Sequence, residues 1–81
     1  MSDGVQEAKE RIIARLNFMN GNGIKIVERD NLPQALMELY DGLILGGLTM
    51  DMLDFLSTRG VIQLIDEQAA AKSIESLKAG G

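Results

Sequence analysis

The chain has 81 residues, a formal net charge of −4 and neither cysteine nor histidine. The length allows one domain, spanning residues 1–81. The missing residue types exclude disulfides, thiolate metal sites, a thiol nucleophile, the commonest general base and the commonest transition-metal ligand. The acidic balance also argues against direct nucleic-acid binding, which needs clustered Lys and Arg.

No apolar run approaches the roughly 18 residues of a membrane-spanning helix. The Met-Ser-Asp-Gly start lacks a basic-then-apolar leader, so a cytoplasmic location is the expectation and no membrane partner is expected. A domain this small buries only about 60% of its unfolded surface. With disulfides unavailable, self-association as a homodimer is the remedy left open.

Taken in chain order, residues 3–20 read as a helix, with Val5, Ala8, Ile12, Leu16 and Met19 at helical spacing and Ser2 or Asp3 as N-cap. Asn20-Gly21-Asn22-Gly23 stops it. Ile24–Glu28 is short and β-branched and reads as a strand. A second helix is expected from Leu32, with Asn31 and Gln34 as a loose capping box and Pro33 tolerated in the first turn. Its stripe of Leu32, Ala35, Leu36, Leu39, Tyr40, Leu43 and Ile44 carries it to Gly46-Gly47. Thr49 caps a third helix that runs to Gly60. Val61–Ile65 reads as a second strand, and Asp66 caps an Ala-rich fourth helix with Ala70, Ile74 and Leu77 on one face. Residues 1–2 and 79–81 are expected to fray.

The expected fold is mostly α (α+β), with four helices and two short strands in the order α-β-α-α-β-α. If 61–65 instead opens a longer last helix, the fold becomes an all-α four-helix domain. One internal echo supports two pseudo-symmetric helix–strand–helix units. Leu16-Asn17-Phe18…Gly23 and Leu53-Asp54-Phe55…Gly60 match 37 residues apart. On that reading the two strands pair about a pseudo-twofold axis, Phe18 and Phe55 occupy equivalent buried places, and Gly23 and Gly60 form equivalent turns.

Chemistry is sparse. The glycine pairs lack Walker and GxGxxG contexts and read as helix stops. Asp51, Asp54, Asp66 and Glu67 show no EF-hand spacing, and capping explains them. No Ser, Thr, Lys or carboxylate stands in an activating context, so no catalytic residue, cofactor or metal is expected and the chain reads as a non-enzyme. Leu48–Leu53 starts a helix as the attachment region of acyl carriers does. That region needs Ser for phosphopantetheine, and Thr49 or Met50 stands there instead, so a carrier-like or small-ligand domain is only an alternative.

The middle of the chain is the most suggestive part. Between Arg29 and Arg59 there is no basic residue. Met37 and Leu45 fall off the second helix's stripe, where they would leave apolar surface. The expected interface is Met37, Tyr40, Leu45, Met50, Met52 and Phe55, with Asp41, Asp51 and Asp54 complementing a basic protein partner. The function read from this is a small acidic regulator or inhibitor acting by protein binding. One form of it, associated with phage and mobile-element proteins, competes for a nucleic-acid-binding surface. A structural or assembly subunit acting as a homo-oligomer is the alternative.

Overall fold

The computed structural model describes the backbone of residues 3–80 and the side chains of residues 4–77. Along it run α1 (Asp3–Met19), β1 (Ile24–Ile26), a 3₁₀ turn (Arg29–Asn31) leading into α2 (Leu32–Met37), α3 (Asp41–Leu45), α4 (Met50–Thr58), β2 (Ile62–Leu64) and α5 (Glu67–Gly80). The domain is thus mostly helical, with one two-stranded antiparallel sheet. Of the expected frayed ends, Ala79 and Gly80 are helical here. The Ser2 cap and residues 1, 2 and 81 lie outside the described residues.

The stripe of α1 does what its spacing implies: Ala8, Ile12, Leu16 and Met19 are all buried. The helix stops where Gly21 takes a φ of +92°, a left-handed conformation that glycine adopts without a Cβ penalty. Two of its last carbonyls are then satisfied locally. The Asn22 N–H donates to Met19 O at 2.7 Å, and Asn22 Nδ2 donates to Phe18 O at 3.2 Å.

In the sheet, Ile24 lies opposite Leu64, Lys25 opposite Gln63 and Ile26 opposite Ile62. Side chains alternate across it, so Ile24 and Ile62 enter the core while Lys25 and Gln63 face water. Both ends of the ladder close in the same way. The N–H groups of Val27 and Glu28 donate to Val61 O, and those of Ile65 and Asp66 donate to Gly23 O.

The echo is therefore present in the backbone, with a one-residue slip. Helix positions match at the spacing read from the sequence: Leu16 with Leu53, and Met19 with Leu56, all buried. The strands match one residue further on, Ile24 with Ile62 and Ile26 with Leu64. That later spacing continues into the following helices, where Leu32 and Ala70 are both buried, as are Leu36 and Ile74.

Two expectations drawn from the echo are corrected. Phe18 is 59% exposed, whereas Phe55 packs against the core. Phe18 sits two positions past Leu16 on α1, off the buried stripe. Gly23 and Gly60 are not equivalent turns either. Gly60 closes α4 in a Schellman arrangement, with Val61 N–H on Leu56 O and Gly60 N–H on Ser57 O. Gly23 lies beyond its helix stop, pressed on α5, where an added Cβ would stand 2.5 Å from the Ala70 nitrogen.

A third correction concerns the second helix, which is two helices, making five in the described residues rather than four. The N–H groups of Glu38 and Leu39 turn back to Ala35 O and Leu36 O, tightening the last turn of α2. Tyr40 is then extended (φ −82°, ψ 157°), and α3 begins at Asp41. No proline marks the break. It redirects the chain so that Ile44 and Leu48 are buried, with α3 packed against α1. The Tyr40 ring then lies against Gly42, where an added Cβ would displace it.

The expected capping box at Asn31 is also absent. Asn31 is αR rather than extended, as a capping residue is, and its side-chain oxygen accepts no capping bond, while its Nδ2 donates to Glu28 Oε1. Thr49 and Asp66 cap as expected. Thr49 Oγ1 accepts from Met52 N–H at 3.3 Å, and Asp66 Oδ1 accepts from Gln68 and Ala69 N–H at 3.0 and 3.1 Å.

Candidate protein-interaction surface

Met37 ends α2, Tyr40 occupies the break and Leu45 ends α3. They are 64%, 68% and 57% exposed. The reason is geometric: α2 and α3 are too short to bury more than one side each. Leu32, Ala35, Leu36 and Ile44 take the inward positions. The Tyr40 ring lies over Gly42, so its exposed position is set by backbone that carries no side chain.

Asp41 is exposed at the start of α3, and Asp51 and Asp54 are exposed on α4. Met50 and Phe55 are half-buried and packed against the core. Met52 departs from expectation. It is 1% exposed and belongs to the core, because its position one turn before Leu56 puts it on the inward face of α4. It is removed from the surface set.

One ion pair ties this region together. Arg59 at the C-cap of α4 pairs with Glu38 at the C-cap of α2, and its guanidinium lies over the Phe55 ring at 5.4 Å. Arg59 is the basic residue that closes the cation-free stretch, and it is engaged by Glu38. Asp41, Asp51 and Asp54 form no ion pair among the described residues.

Sequence reasoning missed three exposed apolar side chains: Phe18, Val27 and Ile65. Strand alternation gave the signal for two of them. Val27 and Ile65 lie two residues beyond Lys25 and Gln63, on the outward side of the sheet.

Among the described residues no polar or charged side chain is buried, and no group of three acidic side chains is placed to hold a metal ion. An open cleft of about 400 Å³ beside the sheet is lined by Asn20, Gly21, Gly23, Ile24, Lys25, Ile26 and Ile65, with neither a carboxylate nor a hydroxyl among them. No described helix is long and apolar enough to cross a membrane. No protein-family model, curated protein or solved structure matches the chain.

Proposed function

We propose that this chain is a non-enzymatic interaction module, a small acidic regulator or inhibitor of a cytoplasmic protein. It docks through the α2–α3 corner and the adjoining face of α4. The observation that carries this reading is the exposure of Met37, Tyr40 and Leu45 on a segment without a basic residue, whose C-terminal flanking arginine, Arg59, is paired with Glu38. Covering Met37 and Leu45 removes apolar surface from water, which favours association. Tyr is also enriched among the residues that dominate binding energy.

Asp41, Asp51 and Asp54 favour a partner with a basic surface, raising encounter rate and fixing register more than they raise affinity. The same apolar residues support self-association as a homodimer, the second form of the proposal.

Affinity capture from the native host, followed by mass spectrometry, tests the reading. The protein is compared with its Asp51→Lys, Asp54→Lys variant. The double variant is expected to lose the captured partner while its stability stays within about 0.5 kcal/mol of the parent, as is usual for surface sites. Equal capture by the variant refutes the acidic contribution.

A further inference from the structure

The segment Asn20-Gly21-Asn22-Gly23 contains two Asn-Gly sequences, and the structure treats them differently. Asn-Gly is the dipeptide in which the backbone nitrogen meets least steric hindrance in attacking the preceding side-chain amide, because glycine has no Cβ. The attack needs a free nitrogen and a carboxamide that can rotate onto it. At Asn20 both groups are engaged. The Gly21 N–H donates to Ile24 O at 2.8 Å, and Asn20 Oδ1 accepts from Ile26 N–H at 2.9 Å.

At Asn22 only the carboxamide is engaged, and the following nitrogen is not. Among the described residues, the Gly23 N–H has no protein acceptor. Gly23 is largely buried, and solvent reaches it from the open cleft that it lines with Asn20 and Gly21. The Asn22 side chain is exposed and held by one bond, from Nδ2 to Phe18 O at 3.2 Å. The Asn22 backbone carbonyl accepts from Ser73 Oγ at 3.3 Å. A donor on that carbonyl draws electron density from the Asn22–Gly23 amide and makes its N–H more acidic.

We propose that Asn22 is a site of spontaneous deamidation by water, promoted by Ser73, and that Asn20 is protected by the β1 hydrogen bonds. The Gly23 nitrogen loses its proton to solvent and bonds to Asn22 Cγ. The Cγ–Nδ2 bond breaks and ammonia leaves, giving a cyclic imide. Water then adds to either imide carbonyl and reopens the ring, leaving aspartate or isoaspartate. No electrons are gained or lost.

The isoaspartyl product inserts a methylene into the main chain next to Gly23. That residue has no room to adjust: its Cα faces the Ala70 backbone and its carbonyl holds the Ile65 and Asp66 N–H groups. Modification at Asn22 therefore opens the end of the sheet and shortens the life of the folded protein.

The test incubates the full chain in mildly alkaline buffer, folded and in denaturant, and follows the tryptic peptide spanning residues 16–25 by fragmentation mass spectrometry. In the folded chain Asn22 is expected to convert about tenfold faster than Asn20, the order set by the extra hydrogen bond that must open first. In denaturant the two rates converge. Ser73→Ala slows conversion at Asn22 and leaves Asn20 unchanged. Folded-state conversion of Asn20 as fast as Asn22, or none at Asn22, overturns the proposal. An unchanged Asn22 rate in Ser73→Ala overturns the part assigned to Ser73.

Discussion

Gly23 and Gly60 show how differently one residue type is used within a single small domain. Both have positive φ, +111° and +78°, so an L side chain is strained at either. Around Gly60 an added Cβ finds open space, whereas at Gly23 it collides with backbone that cannot swing aside. Gly60→Ala is expected to cost about 1–3 kcal/mol, the range for a strained backbone conformation. Gly23→Ala is expected to cost more and to prevent folding at moderate temperature, with thermal denaturation as the readout. The methionines make a parallel contrast. Met52→Ala removes a fully buried side chain and should cost about 2–5 kcal/mol. Met37→Ala should stay within about 0.5 kcal/mol, since Met37 is exposed. Urea melts of the two variants check this ordering. Part of this was legible beforehand: Met37 and Leu45 fall off the helical stripe and are exposed. Met52 was misplaced because the run Met50-Asp51-Met52-Leu53 is apolar on both flanks, and only the packing of α4 decides which methionine turns inward.

At the scale of elements, the two helix–strand–helix units were readable because helix stops and β-branched runs are local signals. Their slip by one residue was not, since it arises in the turns: α1 reaches β1 through Gly21–Gly23, and α4 reaches β2 through a Schellman closure with one more residue between matched core positions. The break at Tyr40 was hidden for a different reason. The stripe from Leu32 to Ile44 satisfies helical periodicity throughout, and only the burial of Ile44 and Leu48 forces the turn. Gly42 gives a test of this corner. Ala is the better helix former, though Gly42 stands in the first turn of α3, where the difference is smaller than in a helix interior. The clash that Ala creates falls on the exposed Tyr40 ring, which can swing away. Gly42→Ala is therefore expected to leave stability unchanged or slightly raised while displacing Tyr40. The chain has one tyrosine and no tryptophan, so tyrosine fluorescence reports the displacement directly. A spectrum identical to the parent's would contradict the stacking of Tyr40 on Gly42.

For the whole molecule, the radius of gyration is 11.7 Å, equal to the value of about 12 Å expected for a compact chain of this length. Among the described residues six large apolar side chains are nonetheless exposed: Met37, Tyr40 and Leu45 at the α2–α3 corner, Val27 and Ile65 just beyond the strands, and Phe18 on α1. On the proposed reading, a second molecule covers the groups at the α2–α3 corner. If that molecule is another copy, size-exclusion chromatography with light scattering should give a dimer mass that falls on dilution. A constant monomer mass with full helicity would remove the homodimer form of the proposal and leave the hetero-partner form. The central claim is that the α2–α3 corner is the docking surface. The most direct measurement compares partner capture by the parent protein and by a Met37→Ser, Tyr40→Ser, Leu45→Ser variant, with circular dichroism showing both folded. Loss of the partner from the folded variant is the expected result. Retention of the same partner, at the same affinity, would contradict the claim.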